Sequence, residues 1–595
     1  MVFKQEDEEF LKTLIGKVTA MIPDEFIANL KRNIWLYILL FLAGIFVYFA
    51  VLLGGNISSA YLWLLLPGVA FGVLGYLEYR RLERQKLLAR LRAEWGVDEI
   101  AKERDFEEIS GLFESAPQTD RMIDDRTWHD LNMDIVFSRI DRTFSWPGIQ
   151  RLYQLLRSPQ IDNVDKVEER TAMIASFESD SELREEVQVT LSKMDARIGS
   201  GLCNLLWGNP QVHPVHPVWV YQTMFVLALF SPLLLFAGAR YTIAILFIFQ
   251  INMYLHFKVQ KRIRSHFEGV RSLRQLMGIS RKLAAIKNDS LEELLSKIRG
   301  SLREVRQFTK IVRFVGLETT DPFIHVFEQY FAIFLLAEVR GFYRALDFIE
   351  DNREVIQDLF MSVGEVDALQ SVASYRASLE YYCEPSFIKT RSVRLEEAYH
   401  PLLSDPVPNS IVAKDRGLLI TGSNMSGKST FLRTVGLNVL MAQTIGTCTS
   451  RSYLACPVRL LTSIGRSDNV VEGKSYYLEE ALSVLRILEV INDDTTTLVI
   501  FDELYRGTNS EERIFAAQRV LEYLVQRNSL VFVATHDLEL TTLLAHDYTS
   551  LHFSERVGQL GLEFDYKLKK GPATTKNAIA LLRYLGYPEE ITNQS

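Results

Sequence analysis

One stretch of the sequence, residues 418–430, constrains the fold more than any other. It reads L-L-I-T-G-S-N-M-S-G-K-S-T, so an apolar run leads into a turn with spaced glycines that ends in lysine, serine and threonine. Glycines at this spacing let backbone N–H groups point at phosphate oxygens, the lysine reaches the β- and γ-phosphates, and the serine hydroxyl can bind Mg²⁺. Residues 417–421 have the composition of a buried strand, and residues 431–442 have helical apolar spacing.

The sequence therefore predicts a nucleoside triphosphate site between a strand and a helix. Its predicted phosphate-binding residues are Gly422, Ser423, Asn424, Met425, Ser426, Gly427, Lys428, Ser429 and Thr430. Ser429 is also a predicted ligand of the metal ion that accompanies the phosphates.

Two acidic residues follow a second predicted strand. Residues 497–501 form a continuous apolar run typical of a strand buried in a parallel sheet, and Asp502 and Glu503 come directly after it. Asp502 is the predicted partner of Mg²⁺, in its second shell or through water, and Glu503 is the predicted group that polarises the attacking water. A further apolar strand at 530–534 leads to His536, which we expect to sense or position the γ-phosphate. Each residue alone is more often an ordinary strand-end residue, so these roles depend on the phosphate loop.

These segments together resemble the ATPase motifs of the MutS family of DNA mismatch-recognition proteins. The matching segments are T-G-S-N-M-S-G-K-S-T, D-E-L-Y-R-G-T-N-S and A-T-H-D-L-E-L, with H-P-L-L from His400 at the start of the ATPase domain. Residues 465–469 and 472–475 resemble the family's signature segment. The resemblance implies ATP and Mg²⁺ as cofactors and a homodimer through the ATPase domains, in which Ser475 is offered to the partner's nucleotide. It also implies double-stranded DNA as a partner, and Tyr566 is the predicted stacking ring near the adenine.

The resemblance is weaker towards the N-terminus. Two segments resemble the start of the MutS core: D-R-T-W-H-D-L-N-M-D from residue 125 and D-R-T-F-S from residue 141. Helical apolar spacing over residues 164–202 and 292–379 predicts long lever helices, although a generic helical bundle has the same pattern. No segment resembles the family's mismatch-reading domain or its Phe-x-Glu motif, so we do not expect mismatch reading by that device. We also expect no counterpart of the family's helical dimerisation extension, and we expect dimerisation to rely on the signature segment.

Four uncharged apolar runs predict two transmembrane helical hairpins. Residues 34–53 and 57–77 form the first, and residues 218–239 and 241–257 form the second, divided by Arg240. At about 1.5 Å per helical residue, the run at 34–53 covers the roughly 30 Å hydrocarbon layer. A charge at the centre of the bilayer costs about 2.5 to 3.5 kcal/mol, but a tight turn lets Arg240 lie at the interface. Buried helices of a large soluble protein are the weaker alternative, because several full-length runs would have to arise by chance.

Flanking charges predict the orientation of both hairpins. The basic flanks are Lys31, Arg32, Arg80, Arg81 and Arg84 for the first hairpin and Lys258, Lys261, Arg262 and Arg264 for the second. The positive-inside rule then predicts a multi-pass protein of four membrane helices, with the lipid bilayer as a partner and the ATPase domain in the cytoplasm. The net charge of -8 is unlike that of a dedicated nucleic-acid binder, so any DNA affinity needs a local patch. The basic run at 258–287 is more simply a membrane flank.

The predicted fold is an α/β P-loop ATPase domain of the MutS/ABC-like type, a mainly α-helical core and lever domain, and two transmembrane hairpins. The predicted domains are residues 1–104, 105–385 and 386–595, the second carrying the inserted hairpin. The predicted function is that of a membrane-anchored MutS-like ATPase, with DNA binding implied by the resemblance. Alternatives are a membrane mechano-ATPase or scaffold without DNA binding and an ATP-driven transporter. The transporter is disfavoured because the chain lacks the L-S-G-G-Q motif of transporter ATPases.

Overall fold

A computed structural model describes most of the chain. The described residues are 24–98, 102–117, 119–194, 200–208, 214–311, 330–331, 333–423, 425–465, 476–491, 494–506, 509–558, 561–573 and 587–588. The chain divides into two units, Met1–Glu94 and Trp95–Ser595. The first unit therefore ends before residue 104, where the sequence analysis puts its boundary.

The described part of the first unit is a helical hairpin. It consists of α1 (Asp24–Asn56), a 3₁₀ helix (Ser59–Leu64) and α2 (Leu65–Glu94). Small residues let the two helices approach each other closely. A Cβ at Gly68 would lie 3.2 Å from Val47 Cγ2, and a Cβ at Gly75 would lie 3.3 Å from Leu40 Cδ2. Large apolar side chains such as Trp35 stand exposed on the outer surface of this hairpin.

Four helical stretches of the described residues are long and apolar enough to cross a membrane, judged by length and composition. They are Asn33–Gly55, Ser59–Glu94, Val218–Phe236 and Thr242–Lys261. Each overlaps one of the four runs from which the two hairpins are predicted.

The second unit begins with a helical region. Its helices are α3 (Phe106–Ile109), α4 (Gly111–Ser115), α5 (Asp125–Asp130), α6 (Met133–Ile140), α7 (Trp146–Arg157), α8 (Asp165–Ser179), α9 (Ser181–Leu191), α10 (Ser200–Leu206), α11 (Val218–Phe230), α12 (Thr242–Leu283), α13 (Glu292–Glu304), α14 (Phe308–Ile311), α15 (Ala337–Asp351) and α16 (Arg353–Arg376). Short 3₁₀ helices occur at Ser231–Ala237, Ala239–Tyr241 and Val305–Gln307.

The prediction of long lever helices was wrong for the described part of residues 164–202, which consists of several short helices. In residues 292–379 it is confirmed only by α16, a single helix of 24 residues. Asp180 separates α8 from α9, because its extended backbone stops α8 and its carboxylate accepts the N–H groups of Glu182 and Leu183. The longest described helix is instead α12, whose 42 residues continue from the second apolar hairpin into the helical region.

A buried carboxylate explains the D-R-T-F-S motif in structural terms. Asp367, on α16, accepts hydrogen bonds from the backbone N–H groups of Phe144 and Ser145 and from Ser145 Oγ. Burial raises the pKa of Asp367. A Cβ at Gly148 would lie 2.2 Å from Asp367 Oδ2, so only glycine allows α7 to pack this closely on α16.

The described strands of the C-terminal region form two sheets. Its strands are β1 (Ser386–Phe387), β2 (Ser392–Ala398), β3 (Asn409–Lys414), β4 (Gly417–Thr421), β5 (Ser452–Ala455), β6 (Arg459–Ser463), β7 (Thr497–Asp502), β8 (Ser529–Thr535), β9 (Tyr548–Gly558) and β10 (Gly561–Lys570). Its helices are α17 (Lys428–Ile445), α18 (Tyr476–Val490), α19 (Ser510–Val525) and α20 (Glu539–Leu543). The smaller sheet has the order β1-β5-β2-β3, and the larger has the order β10-β9-β4-β8-β7-β6.

The larger sheet brings several predicted site residues to one edge. Strands β9, β4, β8, β7 and β6 run parallel, and β10 is antiparallel at the end of the sheet. Thr421 on β4 pairs with Thr535 on β8, and Asp502 on β7 pairs with Ala534. The carboxyl ends of these three strands are therefore level, which is where open α/β sheets bind ligands.

Candidate nucleotide site

The phosphate loop, residues 422–427, has a backbone that requires its glycines. Gly422 has φ 147° and Gly427 has φ 101°, in the region that favours glycine. A Cβ at Gly422 would lie 2.9 Å from the carbonyl oxygen of Phe553 and 2.9 Å from Ser426 Oγ. Met425, with φ 71°, is strongly exposed at the tip of the loop. Asn424 lies outside the described residues.

Lys428 is the first residue of α17, and its ammonium group binds back to the start of the phosphate loop. Its Nζ donates hydrogen bonds of 2.8 Å to the carbonyl oxygens of Gly422 and Ser423. Burial lowers the pKa of Lys428, and the nearby Asp502 carboxylate partly opposes this shift. The lysine is thus a buried donor held against the loop where phosphate oxygens are predicted to bind.

The hydroxyl groups of the loop have different surroundings. Ser423 Oγ donates a 2.7 Å hydrogen bond to Glu555 Oε2 on β9. Ser426 is buried, and its hydroxyl has no hydrogen-bond partner within the described part of the chain. Thr430 lines the cavity described below.

Ser429 and Asp502 meet between two elements. Ser429 Oγ, in the first turn of α17, donates a 2.5 Å hydrogen bond to Asp502 Oδ2 at the end of β7. A hydroxyl oxygen and a carboxylate oxygen side by side are the ligand types that Mg²⁺ prefers. The residues present therefore fit a Mg²⁺ ion at the phosphate loop.

Glu503 and His536, the two predicted catalytic residues, are in contact. Glu503 is buried with φ 63°, and its N–H donates to the carbonyl of Ala534, 2.9 Å away. The carboxylate oxygen Oε2 lies 3.1 Å from His536 Nδ1 and also contacts Nε of Arg506. Two groups therefore hold the carboxylate in one orientation.

The electrostatic surroundings favour a neutral His536. Burial lowers the pKa of His536, and the positive charges of Arg513, Arg506 and Lys428 lower it further, against an opposing effect of Asp537. Asp537 is itself bound by Arg513 through two hydrogen bonds of 2.9 and 2.6 Å. A neutral imidazole whose N–H is on Nδ1 donates that N–H to the Glu503 carboxylate and so orients it.

A cavity of about 500 Å³ opens beside the phosphate loop. Tyr566, on β10, lines it and lies over the loop, because a Cβ at Gly427 would be 3.2 Å from Tyr566 Cδ1. Asn409 fixes this part of β10: its Nδ2 donates to the Tyr566 carbonyl over 2.9 Å and its Oδ1 accepts the Leu568 N–H over 2.8 Å. The sequence predicts no role for Asn409, because nothing local links this residue to a strand so distant along the chain.

His400 lines the same cavity and was also given no role. Burial and the positive charge of Arg433 lower the pKa of His400 to about 4. Its Nδ1 accepts the backbone N–H of Leu402 over 3.3 Å. The H-P-L-L motif was the only signal in the sequence that singled out this residue.

The structure describes the residues that flank the signature segment but not most of the segment itself. Residues 466–475, including Ser475, lie outside the described residues. Before it, the buried carboxylate of Asp130 on α5 accepts the Ile464 N–H over 2.6 Å and the Thr462 hydroxyl over 2.9 Å. After it, Arg486 on α18 donates to the Thr462 carbonyl over 2.6 Å and pairs with Asp124. Asp130 of the D-R-T-W-H-D motif and Asp124, which directly precedes that motif, thus tie the helical region to residues on both sides of the segment.

Comparison with known proteins matches the part of the chain that holds this site. The family model described as MutS domain V matches residues 418–595. The DNA mismatch repair protein MutS of Staphylococcus haemolyticus is 32% identical over 271 residues, which is 43% of this chain and 30% of that protein. The MutS proteins of Natronomonas pharaonis and Streptococcus uberis are each 30% identical, over 253 and 270 residues, or 41% and 43% of this chain and 29% and 31% of theirs. The matched region thus spans about 30% of the length of these relatives.

Proposed function

The C-terminal region of this chain belongs to the MutS family, and on that premise we propose that the protein is a membrane-anchored MutS-type ATPase. ATP binding and hydrolysis change the conformation of its helical region. The observation that carries the proposal is the meeting of Lys428, Ser429, Asp502 and Glu503 at the carboxyl edge of one parallel sheet.

The phosphate loop binds the triphosphate of ATP and the Glu503 carboxylate activates water. Lys428 and the loop N–H groups neutralise the β- and γ-phosphates. Water attacks the γ-phosphorus, the bond from that phosphorus to the bridging oxygen breaks, and the proton of the water is accepted by Glu503 before it passes to phosphate. His536 orients the carboxylate of Glu503. The products are ADP and inorganic phosphate.

Mg²⁺ and a second copy of the chain complete the proposed site. Ser429 would hold the ion directly and Asp502 would hold it directly or through water, and the ion would neutralise charge on the phosphate oxygens. Ser475 reaches the nucleotide of the partner in a homodimer, a role taken from the family resemblance.

The membrane anchor consists of the two apolar hairpins. Their four helices have spanning length, and most of their large apolar side chains are exposed. The basic flanks support a cytoplasmic ATPase domain and both chain ends on the same side.

Buried arginines link the ATPase domain to the helical region that carries the second hairpin. At the end of α17, Arg376 donates to the Gly446 carbonyl over 2.7 Å and to Thr447 Oγ1 over 2.8 Å. Arg170 on α8 donates to the Thr444 carbonyl over 3.1 Å. Arg376 ends α16, which contacts α12, the helix that continues from the membrane hairpin. Movement of α17 during the ATP cycle is therefore transmitted towards the membrane.

Double-stranded DNA, mismatched or branched, is the proposed substrate of this motion, since the relatives are named as DNA mismatch repair proteins. A mechano-ATPase without DNA is the second candidate. It is favoured by the net charge of -8 and by the unbroken helix α12 between membrane hairpin and helical region.

ATPase activity of the detergent-solubilised protein tests the site. Lys428→Ala should abolish ATP binding, whereas Glu503→Gln should bind ATP and hydrolyse it at least about a hundredfold more slowly. Lys389→Ala, at an exposed position outside the site, is the matched control and should behave as wild type. Unchanged turnover in both site variants would refute the assignment.

Two further measurements separate the remaining parts of the proposal. Alkaline carbonate should leave the protein in the membrane pellet, and release into the soluble fraction would refute anchoring. Binding to mismatched, branched and perfect duplexes across a salt series tests the DNA role. Absence of binding at low salt would favour the mechano-ATPase.

A further inference from the structure

An apolar segment outside the four candidate spans lies against one of them. Residues 330–336 read Y-F-A-I-F-L-L, and all but residue 332 are described. Residues 330, 331, 333 and 334 are helical, and the turn ends at Leu336, whose φ of 48° starts α15 in a new direction. This 330–336 segment carries no charged side chain.

The segment is fixed to α12 by one polar contact and two aromatic contacts. Asn252 on α12 is fully buried, and its Nδ2 donates a 2.6 Å hydrogen bond to the carbonyl oxygen of Phe334. The Phe249 ring lies 6.4 Å from the ring of Tyr330 and 6.2 Å from that of Phe334, measured between centroids. Asn252 and Phe249 both belong to the candidate span Thr242–Lys261.

The position of Asn252 sets the depth of the segment, and this step rests on the proposed membrane anchor. At about 1.5 Å per residue, Asn252 lies about 13 Å along the helix axis from Lys261, the cytoplasmic end of the span. The Phe334 carbonyl has the same depth, because it is bonded to Asn252. The hydrocarbon layer is about 30 Å thick, so the segment reaches well into the half of the bilayer nearest the cytoplasm.

A segment that enters the membrane without crossing it must satisfy its backbone internally. The helical residues up to Phe334 end in carbonyl groups that lack partners within the helix, and in hydrocarbon no water replaces them. Asn252 supplies a donor to the Phe334 carbonyl at this end. Polar residues within a span are rare and are expected to have such a partner.

The side chains around the segment change from apolar to charged at its end. Tyr330 is 59% exposed and Phe331 is 58% exposed, so both side chains of this uncharged segment leave aromatic surface uncovered by the protein, even though the Tyr330 ring also contacts Phe249. Directly after the segment, Glu338 lies 3.7 Å from His256 Nε2, which is near the cytoplasmic end of the proposed span. An apolar stretch followed by a charged side chain near the cytoplasmic end of a span is the pattern of an element that inserts into a lipid leaflet.

We propose that the 330–336 segment is inserted into the cytoplasmic leaflet beside α12, with Tyr330 and Phe331 in contact with lipid acyl chains. The segment is continuous with the lipid-facing surface of the proposed span, which identifies acyl chains as its partner. The segment contacts α12 and continues along the chain into α15. Its insertion therefore couples the lipid leaflet to the helical region.

Photocrosslinking in native membranes tests this contact. A benzophenone amino acid replaces Phe331, Phe247 or Phe515 in the full chain, and mass spectrometry identifies the adduct. The three positions are matched in exposure at 58%, 63% and 60%, but Phe247 lies in the proposed span and Phe515 on α19 of the ATPase domain. We expect lipid adducts at positions 331 and 247 and none at position 515.

The other outcomes overturn the inference in distinguishable ways. Lipid adducts at position 247 without any at 331, or a protein adduct at 331, would refute leaflet insertion and leave the membrane anchor intact. Absence of lipid adducts at both positions would refute the anchor and the inference together. Asn252→Leu should cause loss of the lipid adduct at position 331 while the adduct at position 247 persists, and an unchanged adduct at 331 would contradict the anchoring role of Asn252.

Discussion

Ser429 Oγ donates a 2.5 Å hydrogen bond to Asp502 Oδ2, joining the first turn of α17 to the end of β7. The two oxygen atoms come from elements distant in sequence but adjacent at the sheet edge. Their contact means that the hydroxyl and the carboxylate are already side by side before any ion joins them. Metal affinity should therefore depend on the carboxylate as well as on the serine.

Asp502→Asn should raise the Mg²⁺ concentration for half-maximal ATPase activity by about tenfold, because groups that support a metal ion typically contribute at least this factor. The measurement is a Mg²⁺ titration of turnover at saturating ATP. Asp358→Asn, at an exposed position on α16, is the control and should leave the titration unchanged. An unchanged midpoint in Asp502→Asn would exclude a metal role for this carboxylate.

His536→Asn should lower kcat by about a hundredfold and leave ATP affinity unchanged, because a general base such as Glu503 contributes at least this factor only when it is correctly oriented. Because the pKa of His536 is lowered, its imidazole stays neutral as pH falls through its ordinary pKa of 6.5. Wild-type kcat should therefore be level between pH 8 and pH 6.5 and fall only in more acidic solution. A rate that halves near pH 6.5 in wild type but not in the variant would show an ordinary histidine instead.

The elements that carry this site could be predicted from local sequence alone. The continuous apolar runs before Gly422, Asp502 and His536 predicted strands, and β4, β7 and β8 confirm them. A strand buried on both faces needs apolar residues at every position, so composition is enough to identify it. The register of the parallel strands then brings the following residues together without further information.

The contacts that complete the site could not be predicted in this way. Asn409 holds the Tyr566 segment, and Asp130 holds the border of the signature segment, through pairs far apart in sequence. Their partners are backbone groups, which every residue has, so no residue type at a fixed spacing indicates them. The prediction of long lever helices over residues 164–202 was wrong for the opposite reason. Helical periodicity in the sequence continues through Asp180, although the carboxylate of this residue starts a new helix.

The low pKa of His400 predicts an acid-dependent loss of stability. In the folded protein this pKa is about 4, below the ordinary value of 6.5, so both states carry a neutral imidazole above pH 6.5. As pH falls from 6.5 to 4, the unfolded state binds a proton that the folded state does not, and folding loses about 2 kcal/mol by pH 5. His400→Asn should remove this share of the loss.

Thermal unfolding of the solubilised protein at pH 7.5 and pH 5 measures the effect. The midpoint should fall less on acidification in His400→Asn than in wild type. The control is His546→Asn, which changes a histidine whose side chain is 98% exposed. Its unfolding midpoint should fall on acidification by as much as that of wild type. Equal shifts in all three proteins would mean that His400 titrates normally.

Tyr566→Ala should weaken ATP binding by about tenfold, the loss expected when an aromatic stacking partner is removed from a base. Tyr566→Phe should retain the affinity, because the ring and not the hydroxyl makes the stacking contact. Tyr523→Ala is a matched control on α19, with an exposure of 45% against 44% for Tyr566.

Competition by inorganic triphosphate separates stacking on the base from support of the phosphate loop, because the Tyr566 ring also lies over Gly427. If Tyr566 binds the base, Tyr566→Ala should leave the affinity for inorganic triphosphate unchanged, whereas an equal loss for ATP and triphosphate would show that the ring acts only by holding the phosphate loop.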